Sequence, residues 1–295
     1  MAAGGESIYR GRIAPTPSGF LHLGHARTFW TAFERARAAG GVLIFRNEDL
    51  DPDRCRAEFA AAAIEDLQWL GIQWHEGPDI GGPHAPYTQS QRLDSYREVW
   101  HRLHATGAVY PSPHSRNDVQ EALVAPHDDV ARLSGAAGQE PIFPAHLRPP
   151  PAAGRDATEP GAVNWRFRVP DNEPIVFTDL RVGRVERIAG RDFGDFVIWR
   201  KDGFPSYELA VVADDHAMQI TEVVRGEDLL TSTARQLLLD RALGWPPPAF
   251  YHCPLVTDAA GQRLAKRNDA LTLRALRAGR LTPEQIRMRW TETKN

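Results

Sequence analysis

The stretch RIAPTPSGFLHLGHARTFW, residues Arg12 to Trp30, decides how the chain is read. It begins extended and passes through prolines and glycines. It leads into a run whose apolar residues Ala26, Phe29, Phe33 and Ala36 recur at helical spacing. His22 and His25 stand where the turn gives way to the helix. Gly40 and Gly41 close that helix, and VLIF (42–45) follows as a continuous apolar strand of the kind buried on both faces. Strand, helix and strand in such short compass predict the βαβ unit of a parallel sheet.

A helix N-terminus carries about half a positive charge and free backbone N–H groups. After the first strand of a doubly wound sheet, that is where phosphates bind. Gly19 and Gly24 leave the backbone open to a nucleotide, and His22 and His25 can donate hydrogen bonds to phosphate oxygens. Displacement at phosphorus needs positioning and charge stabilisation, so neither histidine has to shuttle a proton. The alternative is a turn with two surface histidines. GQRLAKRND (261–269) adds Arg263, Lys266 and Arg267 on a Gly-preceded loop. A lysine there supplies a mobile point charge for a phosphoryl transition state, unless the loop is simply a solvated basic one.

Outward from this centre, helical runs cover Arg54 to Leu70, with Phe59, Ile64, Leu67 and Leu70 on one face, and Leu93 to Leu103, ended by Gly107. Trp30, Trp69 and Trp100 fall on predicted helices and are expected to pack in the core. Residues 111–160 are rich in Pro, Gly, His and Ala and read as loop or linker. VNWRFRV then alternates, with Val163, Trp165, Phe167 and Val169 on the buried face and Arg166 and Arg168 on the exposed one. PIVFTDLRVGRVERI adds strands and turns, so a strand-containing subdomain interrupts the core. TSTARQLLLDRALGW predicts a helix with a Thr or Ser N-cap, and TPEQ predicts a capping box at Thr282 and Gln285.

The net charge of −3 argues against strong non-specific nucleic-acid binding, although a local basic face can sit on such a protein. Cys55 and Cys253 lie far apart and cannot make a disulfide framework or a cysteine-based zinc ribbon. No apolar run is long enough to span a bilayer, and MAAGGESIYR lacks the regions of a signal peptide, so a cytoplasmic protein without membrane contact is expected.

HLGH (22–25) resembles the HIGH motif of class I aminoacyl-tRNA synthetases, and RLAKR (263–267) resembles their KMSKS loop, with Ala265 where that pattern has serine. GRIAPTPSGFLHLGHART, RNEDLDPDR, VIWRKDGFPSYELAVVADDHAMQITEVVRGEDLL and ALGWPPPAFYHCPLV, in that order, resemble the glutamyl-tRNA synthetase catalytic domain from Arg12 to about Asp269. The resemblance implies an α/β fold: a class I, Rossmann-type parallel sheet with an inserted α+β subdomain and a short helical C-terminal segment. The expected division is 1–107 and 191–260 for the two halves of the catalytic domain, 108–190 for the insertion, and 261–295 for the KMSKS-like loop and tail.

It also implies the site. Arg12 would pair with the side-chain carboxylate of L-glutamate, since a guanidinium fork fits a carboxylate. Ala14, Pro15 and Thr16 would line the same pocket, Glu48 would receive the substrate ammonium, and Tyr207 and Arg225 would complete it. As alternatives, Glu48 could cap a strand end, Arg225 could pair with Glu227, and Tyr207 could be core. ATP, with Mg²⁺ on its phosphates, would be held by Ser18, Gly19, His22, Gly24, His25, Arg263 and Lys266. His22, His25 and Lys266 would be catalytic.

Only 28 residues follow Arg267 (295 − 267), too few for an anticodon-binding domain. A catalytic domain of that extent resembles the glutamyl-queuosine tRNA(Asp) synthetase family. That family activates glutamate and places it on queuosine in the anticodon stem-loop of tRNA(Asp). A minimal glutamyl-tRNA synthetase charging a tRNA 3′ end, and a non-catalytic nucleotide- or RNA-binding paralogue, remain as alternatives. A monomer is expected. Members often carry zinc in the insertion, but here Ser112, His114, Phe143 and Leu147 stand near the ligand positions. Serine, phenylalanine and leucine are not zinc ligands, so no structural zinc is expected. A site of His114, His127 and His146 is the remaining alternative.

Overall fold

The computed structural model describes residues 8–114, 142–256 and 272–292. In chain order its strands are β1 (Arg10–Ile13), β2 (Val42–Phe45), β3 (Val109–Ser112), β4 (Asn164–Phe167), β5 (Pro174–Asp179), β6 (Gly183–Ile188), β7 (Phe196–Trp199), β8 (Glu222–Gly226) and β9 (Ala249–Cys253). Its helices are α1 (Leu23–Ala38), α2 (Ala57–Leu70), α3 (Leu93–Ala105), α4 (Tyr207–Ala217), α5 (Leu230–Leu243), α6 (Leu273–Ala278) and α7 (Pro283–Glu292).

The larger sheet runs β2-β1-β8-β9-β5-β6, parallel except for the β5–β6 hairpin. The predicted βαβ unit is β1, α1 and β2, paired from Arg10↔Val42 to Ile13↔Phe45. Helices cover both faces, so the central strands bury side chains of either parity. Ile13, Leu43, Phe45, Val224 and Cys253 pack with α1, α2, α6 and α7. Ile44, Val223 and Phe250 point the other way. A smaller antiparallel sheet, β3-β4-β7, packs its Trp165, Phe167, Phe196 and Trp199 with α3, α4 and α5. Trp165 meets Trp100 edge to face at 4.8 Å, one of the favoured aromatic geometries.

The strands expected in the insertion divide between the sheets. β3 and β4 belong to the smaller sheet, which β7 completes from beyond residue 190, while β5 and β6 extend the larger one.

Several local expectations are corrected. The second helix starts at Ala57 rather than Arg54, because a turn precedes it in which Arg54 N–H and Cys55 N–H donate to Asp51 O. α5 has no Thr or Ser cap: a 3₁₀ turn, Glu227–Leu229, runs directly into it, which places Thr233 inside the helix. Arg166 is buried rather than exposed. The register of β4 shifts between Trp165 and Arg166, and Arg166 lies over the Phe143 ring at 4.4 Å. Val163, outside the strand, is exposed. The capping box at Thr282 and Gln285 forms as expected, with both reciprocal bonds.

The residues near the zinc positions of the resemblance are engaged otherwise. Ser112 Oγ accepts from Arg166 Nε at 3.2 Å, and Leu147 packs on Tyr110 and Phe143. Beside them, buried Asp195 accepts from Tyr110 Oη at 2.6 Å and from Arg148 Nε and Nη2 at 2.8 and 2.7 Å. His146 is exposed, and His127 lies outside the described residues. Among the described residues no group of three or more His, Cys, Asp or Glu could hold a metal ion.

This ionic and aromatic knot lies beside the residues at the zinc positions of the resemblance. Asp195→Asn leaves Arg148 paired with the exposed Asp171 but without its buried partner, and is expected to lower stability by about 1–3 kcal/mol in urea denaturation. A chelator is expected to leave the wild-type melting temperature unchanged.

Candidate functional site

The period-two alternation of β1, β8 and β9 carries Arg12, Arg225 and His252 to the face of the sheet opposite Ile13, Val224 and Cys253. Arg225 and His252 are register partners on adjacent strands. Arg46, just past β2, joins the row, and its side chain is 0% exposed. Adjacent buried guanidiniums repel, so the row exists only because carboxylates meet it.

α4 brings Asp214 and Asp215 to the row, and the segment after β2 brings Glu48. Arg46 Nη1 donates to Asp215 Oδ1 at 2.6 Å, and its Nε and Nη2 donate to Glu48 Oε1 at 3.2 and 3.0 Å. Arg12 Nε lies 3.4 Å from the same Asp215 oxygen, and Arg12 Nη1 donates to Val224 O at 3.0 Å. Asp214 lies 3.7 Å from Arg46 Nε and also ties in α3, accepting from Arg92 Nε at 2.7 Å and Tyr96 Oη at 2.9 Å. Burial pushes the Asp215 carboxyl up, but Arg46 and Arg12 outweigh it and hold the group below the usual range. For Glu48 burial wins, and its pKa is raised despite Arg46.

In front of this network lies a cavity of about 200 Å³, at the C-terminal ends of β1 and β8. That is where open α/β sheets bind ligands. Of the residues expected in the site, Arg12, Ala14, His22, Gly24, His25, Glu48, Tyr207 and Arg225 line it. Tyr207 is 39% exposed and not core, although burial of its hydroxyl end raises its pKa. Arg225 donates to Tyr207 Oη at the long distance of 3.5 Å, while Glu227 pairs with Arg181. Arg225 therefore belongs to the cavity rather than to Glu227.

His22 is the N-cap of α1, its Nδ1 accepting from Gly24 N–H at 3.2 Å. That bond leaves the ring proton of a neutral His22 on Nε2, as a donor. His25 stacks on His22 with centroids 3.9 Å apart. A Cβ on Gly24 would stand 3.2 Å from the His22 ring, so this glycine makes room for the capping histidine. Nothing lies within 4 Å of a Cβ on Gly19.

Pro15, Thr16, Ser18 and Gly19 do not line the cavity. Pro15 acts through its backbone, its carbonyl accepting from Glu48 N–H at 3.1 Å, and Thr16 O accepts from Ser18 N–H at 2.8 Å. Arg263 and Lys266 lie outside the described residues. The residues on either side of that segment reach the site: Pro254, Leu255 and Val256 line the cavity, and Thr272 bridges to His22.

Sequence reasoning missed Arg46, Asp215, Asp179, Thr233 and His252, which hold the lining residues. Arg46 and Asp215 stood inside quoted motifs, and a charged pair in otherwise apolar flanks was the available signal. A second cavity, of about 250 Å³, lies behind α4 and α5 and is lined by Asp215 and Asp240. It shares none of the residues that converge on the first, apart from the back of the ion-pair network.

Residues 9–286 match the family model described as tRNA synthetases class I (E and Q), catalytic domain. A Symbiobacterium thermophilum protein named Glutamyl-Q tRNA(Asp) synthetase is 48% identical over 279 residues, covering 94% of this chain and 83% of that protein. Glutamate–tRNA ligase 2 of Acidithiobacillus ferrooxidans is 43% identical over 270 residues, covering 91% of this chain and 54% of its own length. The crystal structure of a glutamate tRNA ligase from Elizabethkingia meningosepticum, in complex with its amino acid, superposes with a TM-score of 0.74 at 30% identity. It covers 89% of this chain, which spans about half (52%) of that ligase.

The Asp215 network has a pH signature. A carboxylate whose folded pKa is depressed contributes stability that is fully present above the unfolded value of about 3.9 and is lost as pH falls through the folded pKa. Asp215→Asn is expected to cost about 3–5 kcal/mol at neutral pH and to flatten this acid limb, both read from urea denaturation across pH.

Proposed function

The chain belongs to the family of class I tRNA synthetase (E and Q) catalytic domains, and on that premise we propose that it activates L-glutamate with ATP and transfers the glutamyl group to queuosine in the anticodon of tRNA(Asp). The observation that carries the first half is the charge on the cavity wall. Two guanidiniums, Arg12 and Arg225, and the carboxylates of Glu48 and Asp228 line one space. Glutamate offers two carboxylates for the guanidiniums and an ammonium for a carboxylate of that wall. Arg12 and Arg225 are rooted in adjacent central strands and Glu48 is held by Arg46, so the set is preorganised.

In the first step the α-carboxylate of glutamate attacks the α-phosphorus of ATP in line, and pyrophosphate leaves. The nucleophile is already ionised at neutral pH, so no general base is needed. His22, presenting Nε2–H from the end of α1, and His25 beside it donate to phosphate oxygens at a helix terminus that favours anions. Lys266, with Arg263, adds positive charge from a segment whose described neighbours border the cavity. Mg²⁺ arrives with the nucleotide and supplies charge neutralisation on its phosphates. In the second step a hydroxyl of the queuosine cyclopentene ring attacks the glutamyl-adenylate and releases AMP.

The choice of acceptor rests on similarity. The chain is 48% and 45% identical to proteins named Glutamyl-Q tRNA(Asp) synthetase, of which it covers 83% and 81%. Six glutamate–tRNA ligases are 39–43% identical to it, with 52–58% of their length covered.

Labelled glutamate, supplied with ATP and Mg²⁺, is expected on tRNA(Asp) that carries queuosine and not on tRNA(Asp) without it or on tRNA(Glu). Label on tRNA(Glu) would make the chain a minimal glutamyl-tRNA synthetase, and label on no RNA would favour a binding paralogue. Arg12→Met is expected to raise the glutamate KM about 10- to 100-fold in ATP–pyrophosphate exchange. Lys266→Ala is expected to slow adenylate formation with little change in glutamate affinity.

A further inference from the structure

Arg225 reaches the cavity from a strand whose partner, β9, places a wholly buried histidine directly beside it. We infer that Asp179 and His252 form a positioning pair that fixes the Arg225 guanidinium in the orientation that receives the amino-acid substrate. The inference rests on the reading of the cavity as a glutamate site.

Asp179, at the end of β5, has every contact needed to stay a carboxylate. Its Oδ1 accepts from the N–H groups of Arg181 and Val182 at 3.0 and 2.8 Å. Its Oδ2 accepts from His252 N–H at 3.0 Å and meets His252 Nδ1 at 2.7 Å. A carboxylate at that distance requires the proton on Nδ1, which leaves Nε2 with only a lone pair. That lone pair faces Arg225 Nε at 3.3 Å. Thr233 Oγ1 accepts from Arg225 Nη2 at 2.6 Å and also touches His252 Nε2 at 3.0 Å. One edge of the guanidinium is thus held by His252 and Thr233, while Nη1 donates to Tyr207 Oη, on a residue that lines the cavity with Arg225.

Burial, with the charge of Arg225, brings the His252 pKa down to about 4, so the ring is neutral and able to accept. Carboxylate, imidazole and guanidinium form a chain across three neighbouring strands, β5, β9 and β8. Arg181 closes it from outside, donating to His252 O and pairing with Glu227. A merely structural pair would staple the β5–β6 hairpin to the sheet. A positioning pair also requires one particular tautomer of His252, and this requirement separates the two roles.

The test uses the full chain. Glutamate-dependent ATP–pyrophosphate exchange is measured for wild type, His252→Leu, His252→Gln and Asp179→Asn, with melting temperatures alongside. His252→Leu removes the acceptor and is expected to raise the glutamate KM about tenfold while the ATP KM stays unchanged. His252→Gln, whose amide oxygen can take the place of Nε2, is expected to recover most of that loss. Asp179→Asn turns an amide N–H toward Nδ1, reverses the tautomer and is expected to resemble His252→Leu. Nitrogen-15 NMR of the wild-type imidazole is expected to show the proton on Nδ1.

An unchanged glutamate KM in folded His252→Leu, or equal rises in both KM values, would overturn the inference. If the variants do not fold, the wild-type tautomer decides, and a proton on Nε2 would overturn it. A wild type without glutamate-dependent exchange would instead refute the glutamate reading, while the tautomer measurement would still judge the pair.

Discussion

Asp215 is the group on which the site depends. It accepts from Arg46 at 2.6 Å and lies 3.4 Å from Arg12, within a row of buried guanidiniums that a sheet interior does not otherwise tolerate. A single cation taken out of water costs several kcal/mol, and its neighbours in the row add repulsion. The carboxylates of α4 and the segment after β2 make the row possible. In exchange they hold cations rigidly behind a cavity of about 200 Å³. The energy of folding is thereby converted into orientation, because guanidiniums packed on strand backbones need not be ordered when a ligand arrives.

The same economy governs the helix terminus. His22 satisfies a backbone N–H at the start of α1, and that bond assigns its tautomer. Gly24 is the glycine that lets the ring fold over the helix start. At the other end of the site, Asp179 assigns the tautomer of His252 in a similar way. In both places a structural hydrogen bond on one ring nitrogen decides what the other nitrogen can do.

The insertion is held by its own ionic and aromatic contacts. Near the zinc positions of the resemblance, Asp195 gathers Tyr110 and Arg148, while Arg166 lies on Phe143. Alternation in VNWRFRV predicted an exposed Arg166, because a two-residue period describes a strand with one wet face. The register shift in β4 and the cover provided by Phe143 could not be read from that period.

What the sequence by itself determined is local or linear. The βαβ unit, the helix start at HLGH, the apolar faces of α1 and α3 and the capping box at Thr282 follow from spacing and from residues that interact with near neighbours. The ordered motifs carried the family resemblance and named Arg12, Glu48, Tyr207 and Arg225, which do line one cavity. Tertiary structure alone decided what holds them. Arg46 meets Asp215 across 169 positions and His252 meets Asp179 across 73. It also decided that β5 and β6 extend the large sheet and that α5 begins without a side-chain cap. Those outcomes depend on which strands become neighbours and on which buried charge finds which partner, and such pairings over long separations leave no period in the sequence.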